Sequence, residues 1–99
     1  MRVWVPHDAA AKALGADRVA EAVVREGAGR GVTLIRNGSR GMVWLEPLVE
    51  VETPAGRLAF GGVTVADVAG ILADPMGHPK GLGQVEALPR LDVILEGNY

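Results

Sequence analysis

The sequence predicts an α/β (α+β) domain: a small sheet of about four strands flanked by two helices, in the order β-α-β and then β-β-α. Three observations carry this. A segment of helical period lies between two short β-branched runs, at residues 3–5 and 32–35. Residues 48–52 and 57–60 face each other across a Pro-Ala-Gly turn, as a hairpin does. The composition is 48% hydrophobic but only 4% aromatic, so the core is built from Val, Leu, Ile and Ala, which suits layered packing of helices on a sheet. At 99 residues the chain is expected to form one core.

Each element has a local reason. Val3-Trp4-Val5 is an apolar run closed by Pro6, whose missing N–H ends a strand, and it reads as a central strand. Asp8 is placed to cap Ala9-Ala10-Ala11-Lys12-Ala13-Leu14. Gly15 weakens that helix, and Asp17 offers a second cap. Val19, Ala20, Val23 and Val24 then recur at helical spacing, with Arg18, Glu21, Arg25 and Glu26 turned to water. Gly27-Ala28-Gly29-Arg30-Gly31 imitates part of a dinucleotide-binding fingerprint. Here the glycines follow a helix and precede a strand, the reverse of the order that holds a pyrophosphate, so the stretch reads as a helix C-cap. Residues 32–35 form the second strand, parallel to the first through a right-handed crossover.

Leu48-Val49-Glu50-Val51-Glu52 alternates apolar with acidic, so Val49 and Val51 are expected in the core with the glutamates outside. Arg57-Leu58-Ala59-Phe60 answers as its hairpin partner. Thr64, with Asp67 three residues later, is a capping-box-like start for a helix carrying Val68, Ile71 and Leu72 on its buried side. Beyond Asp74-Pro75 the periodicity fails. His78-Pro79, Gly81, Gly83 and Pro89 argue against helix or strand before Arg90. The domain is therefore drawn as residues 1–75, with 76–99 an extended tail or linker.

Net charge is −2 and neither sign forms a block, which argues against nucleic acid or a membrane surface as partner. There are no cysteines, which excludes disulfides, zinc–thiolate sites, iron–sulfur clusters and thiol catalysis. No apolar run is long enough for a membrane span and no signal peptide is evident, so the cytoplasm is the expected location.

Residues 36–51, R-N-G-S-R-G-M-V-W-L-E-P-L-V-E-V, join the two halves and concentrate the features of a site. With V-P-H-D-A-A-A-K-A-L-G-A-D at residues 5–17 and H-P-K-G-L-G at 78–83, this stretch resembles a specific family. Residues 3 to about 91 look like the thioredoxin-like [2Fe-2S] ferredoxin domain that accompanies flavin-containing NADH dehydrogenase subunits. The stretches at residues 5–17, 36–57 and 78–83 are similar to the N-terminal domain of the β subunit of NAD-dependent, molybdenum-containing formate dehydrogenase. The resemblance implies a small thioredoxin-like sheet. It also implies a parent subunit that continues into a domain carrying FMN, the NADH site and an iron–sulfur cluster, toward which residues 76–99 would lead.

In cluster-bearing relatives two cysteine pairs, C-x4-C after the first strand and C-x3-C after the second, hold the cluster. By alignment on the glycines those positions are Pro6 and Ala11, and Ser39 and Val43, none of them a cysteine. The resemblance thus implies a retained fold without its redox centre and no cofactor in this chain, with FMN, NAD and the cluster confined to the parent subunit. The partner it implies is the flavin domain or a neighbouring electron-transfer subunit. Arg40, Met42 and Trp44 are the expected contacts, because a tryptophan beside mobile apolar neighbours is a common interface anchor.

A second reading makes Gly38, Ser39, Arg40 and Gly41 an anion cradle for a nucleotide phosphate, through backbone N–H groups, the hydroxyl and the guanidinium. A third sets His7 and Asp8, at a strand end, as an acid–base pair, but no nucleophile or substrate anchor accompanies them. His78 reads as a linker residue, and two distant histidines make a poor metal site. The residues by themselves name no catalytic set.

Overall fold

The computed structural model describes residues 1–38 and 45–84. The elements are β1 (Arg2–Pro6), α1 (Ala9–Ala13), α2 (Ala16–Gly27), β2 (Thr33–Asn37), β3 (Val49–Thr53), β4 (Gly56–Phe60), α3 (Val65–Ala73), a 3₁₀ turn (Pro75–Gly77) and β5 (Gly81–Gln84). They make a mixed sheet in the order β2-β1-β3-β4-β5. β1 and β2 are parallel, Val3 opposite Leu34 and Val5 opposite Arg36. β3 runs antiparallel to both β1 and β4.

The side-chain period of two along each strand decides what meets what. Val3, Val5, Val49, Val51 and Phe60 form one face. On it α2 and α3 pack against each other, delivering Val19 and Val23 from one helix and Val68, Ile71 and Leu72 from the other into a single buried cluster. Each such aliphatic side chain contributes about 1.5–3 kcal/mol on burial. Gly27 ends α2 where a Cβ would lie 2.7 Å from the Val32 Cβ, so the helix leaves the sheet through a gap that only glycine fits.

Several local expectations are corrected. Asp17 is not a cap: Gly15, at φ 100°, occupies that position before α2, and Asp17 lies inside the first turn. Asp8 sits at the N-cap of α1 without a side-chain capping bond. Val24 is 58% exposed, because it lies beside the helix stripe that faces the sheet. Glu50 is 1% exposed, although the alternation placed it in water. It sits opposite Trp4 of β1 and pairs with Arg57 at 2.8 Å. Arg57 in turn lies over the Trp4 ring, 3.7 Å from its centroid, and Arg2 stands 5.3 Å from the same ring. The face of the sheet away from Val3 and Val51 thus carries a stacked aromatic and ionic layer, which a charged residue joins by bringing its counter-ion.

The largest difference concerns residues 76–84, expected to lack strand. Gly81–Gln84 is a strand, antiparallel to β4, with Leu58 opposite Gln84 and Ala59 opposite Gly83. The sheet therefore has five strands among the described residues. His78, expected in a linker, packs edge-on to Phe60, and its Nδ1 accepts the Lys80 N–H at 3.2 Å.

Candidate functional site

The parallel strands β1 and β2 end side by side, Pro6 opposite Asn37, and the His7 N–H donates to the Asn37 carbonyl at 2.9 Å. From there the chain enters α1, which stops after one turn. Leu14 and Gly15 close back on Ala11 and Lys12, and the left-handed Gly15 redirects the chain into α2. The result is a corner formed by two strand ends and two helix starts.

Arg36 ties this corner together. Its guanidinium donates to the Val5 carbonyl at 3.0 Å, the Pro6 carbonyl at 2.9 Å and Asp17 Oδ1 at 2.8 Å. The hydrogen bond from Arg36 holds the Asp17 carboxyl below the usual carboxylate range. A shallow cavity of about 450 Å³ beside it includes His7, Lys12, Asp17, Glu21 and Arg36 in its lining. The charges there balance, and the strongest donor, Arg36, is already engaged, so these residues do not make an anion site. Asp8 Oδ1 and Asn37 Oδ1 are buried at the same corner without a hydrogen-bond partner.

Pro6 closes β1 and is buried, and Ala11 is 0% exposed inside α1. Neither carries a donor atom. Ser39, Arg40, Gly41, Met42, Val43 and Trp44, including the second pair of ligand positions, most of the anion cradle and the expected partner contacts, lie outside the described residues. Only Gly38 of the cradle is described, exposed and with open space where a Cβ would be. Among the described residues no hydrogen bond or ion pair joins His7 to Asp8, and no group of three His, Asp or Glu side chains is placed to hold a metal. Nor is any helix among them long and apolar enough to cross a membrane.

Sequence reasoning missed Arg36, whose role depends on strand-end carbonyls that no local pattern displays. It also missed the Trp4, Arg57 and Glu50 stack, for which there was a signal: a glutamate and an arginine on the two arms of one hairpin, with a tryptophan on the neighbouring central strand.

This is the fold of the thioredoxin-like [2Fe-2S] ferredoxins. The chain superposes on the wild-type thioredoxin-like [2Fe-2S] ferredoxin from Aquifex aeolicus with a TM-score of 0.62 and 22% identity, covering 88% of this chain and 92% of that one. A cysteine-to-serine variant of the same ferredoxin gives a TM-score of 0.62 and 19% identity over 88% and 94% of the two chains. No protein-family model matches the sequence, and no curated protein matches it. The ferredoxin neighbours are named for a [2Fe-2S] cluster. This chain has no cysteine, and thiolates are what hold iron in such a centre, so its residues do not fit that group.

Proposed function

We propose that the chain is a cluster-less assembly domain: the N-terminal part of the NADH- and FMN-binding subunit of an NAD-dependent formate dehydrogenase. In that complex formate and NAD become carbon dioxide and NADH, and this domain packs against the flavin domain or an electron-transfer subunit in the cytoplasm. The observation that carries the reading is the chemistry at the end of β1. A ferredoxin fold presents Pro6 and Ala11, both buried, where thiolate ligands are expected, so shape is what the corner has left to offer a partner. The R-N-G-S-R-G-M-V-W-L-E-P run and the H-P-K-G-L-G run support the formate dehydrogenase assignment.

The partner contacts are assigned from the sequence to Arg40, Met42 and Trp44, with the tryptophan as anchor. Co-expression of the chain with the flavin-binding and electron-transfer parts of such a complex tests this. The expected result is co-purification, with Trp44→Ala weakening binding by about tenfold or more. Failure of the unmodified chain to co-purify with either partner refutes the reading.

A further inference from the structure

The two faces of the sheet are covered differently. Among the described residues, every helix lies on the face of Val3, Val51 and Phe60. Ala11 of α1, Val23 of α2 and Val68 of α3 share one cluster with those side chains, and Met76 of the 3₁₀ turn lines a cavity with Leu58 and Phe60 on the same side. Across the opposite face runs a row of Ile35, Trp4, Glu50, Ala59 and Gly83, each paired with the next. None of the described helices lies over it. Yet Trp4 is 8% exposed and Ala59 0%, and both stand outside the helix-side cluster. Arg57 over the Trp4 ring does not close the surface around Ala59, so a further segment covers the middle of this face.

Two segments lie outside the described residues, 39–44 and 85–99, and the strand directions separate them. Residues 39–44 leave after β2 and return at Leu45, whose carbonyl accepts the Gly62 N–H at 2.8 Å, both at the end of the sheet where β1 and β4 finish. Residues 85–99 leave from Gln84 at the opposite end, where its side chain donates to the Ala55 carbonyl of the β3–β4 turn at 2.7 Å. Fully extended they reach about 50 Å. Five strands about 4.8 Å apart span roughly 19 Å, so the segment is long enough to cross the whole face. Its apolar run is Leu91-Asp92-Val93-Ile94-Leu95. Leu91 and Leu95 share a side in either a helix or a strand, because both periods bring residues four apart together. We infer that residues 91–95 fold back over the outer face and cover Trp4 and Ala59 with Leu91 and Leu95, driven by the apolar surface that both sides remove from water. The chain thereby closes this face itself, and a protein partner is left the end of the sheet from which residues 39–44 emerge.

The chain has no cysteine, so Glu96→Cys carries a single nitroxide label, and the test is the broadening that label causes in the amide spectrum of the full chain. Strong broadening is expected at the Trp4 indole N–H and at the Glu50 and Ala59 amides, with the amides of α2 and α3 kept sharp. Leu91→Asp combined with Leu95→Asp abolishes it and, in a Trp44→Phe background, shifts Trp4 emission to the red. Dispersed, unshifted amides of α2 and α3 show that the core of that variant is folded. An outer face that stays sharp, broadening centred instead on Leu72 and Met76, or broadening that passes only between separate copies overturns the proposal. So does a Trp4 as shielded in the double variant as in the full chain.

Discussion

Asp17 and Asp67 each lie in the first turn of a helix, and each accepts a cation delivered from a strand or from the turn that leads into one. Their surroundings set them apart. The Asp17 side chain is 56% exposed and pairs with Arg36, so water and salt screen what the pair contributes. The Asp67 side chain is 19% exposed. Its Oδ2 accepts the Thr64 N–H and hydroxyl, each at 2.8 Å, and Lys80 Nζ at 2.6 Å. Lys80 Nζ also donates to the Gly62 carbonyl at 2.9 Å, and the Gly61 N–H donates to the Lys80 carbonyl. One carboxylate therefore caps α3 and fastens the segment leading into β5, whereas the other steadies a corner that Arg36 already braces through two carbonyls. The teaching is that position on a helix matters less than how many donors converge and how much water is kept out.

The sharpest way to break this comparison is to remove the two carboxylates in turn. Asp67→Ala is expected to cost roughly 2–3 kcal/mol in urea denaturation, since it deletes a cap and leaves Lys80 without its counter-charge. It should also speed hydrogen exchange at the β5 amides, because the strand loses its tether.

Next in size is the acid limb. Burial pushes the Asp67 carboxyl up, but the bonds from Lys80 and Thr64 outweigh it and bring it from 3.8 to about 2. A carboxylate lowered in the folded state contributes in full above its unfolded value and loses that contribution as pH falls through its folded one. Stability should therefore drop by roughly 2 kcal/mol between about pH 4 and pH 2, as followed by circular dichroism in urea at each pH. Asp67→Asn should flatten that limb.

The smallest effect belongs to Asp17→Ala, expected to move the urea midpoint far less than Asp67→Ala, because water and salt screen the Asp17–Arg36 pair. If its cost equalled that of Asp67→Ala, the contrast would be lost.

The fold was largely legible, and the misses have physical causes. The β-branched runs, the helical stripe of α2 and the Thr64 to Asp67 start of α3 are short-range patterns, and each formed the element expected of it. β5 was invisible because Gly81-Leu82-Gly83-Gln84 has neither β propensity nor alternation. It is a strand because β4 offers it an edge and Lys80 anchors its approach. Glu50 was misjudged because alternation assumes that a charge seeks water, and here Arg57 and Trp4 supply the alternative. At the candidate site, the end of β1 at Pro6 could be read from the missing proline N–H. The inward turn of Arg36 could not, since it answers carbonyls of a strand 30 residues earlier in the chain.

Taken by itself, the sequence determined the order of elements as far as α3, the aliphatic core and the impossibility of thiolate ligation, because these depend on residue identity and short-range periodicity. Only the tertiary structure decided which carboxylates are shielded, that a glycine-rich segment adds a fifth strand among the described residues, and that Arg36 turns its guanidinium inward onto strand-end carbonyls. Those outcomes depend on residues brought together from distant parts of the chain, as with Asp67 and Lys80 or Arg36 and Val5, and no local pattern encodes the distance or solvent exposure on which their energies rest.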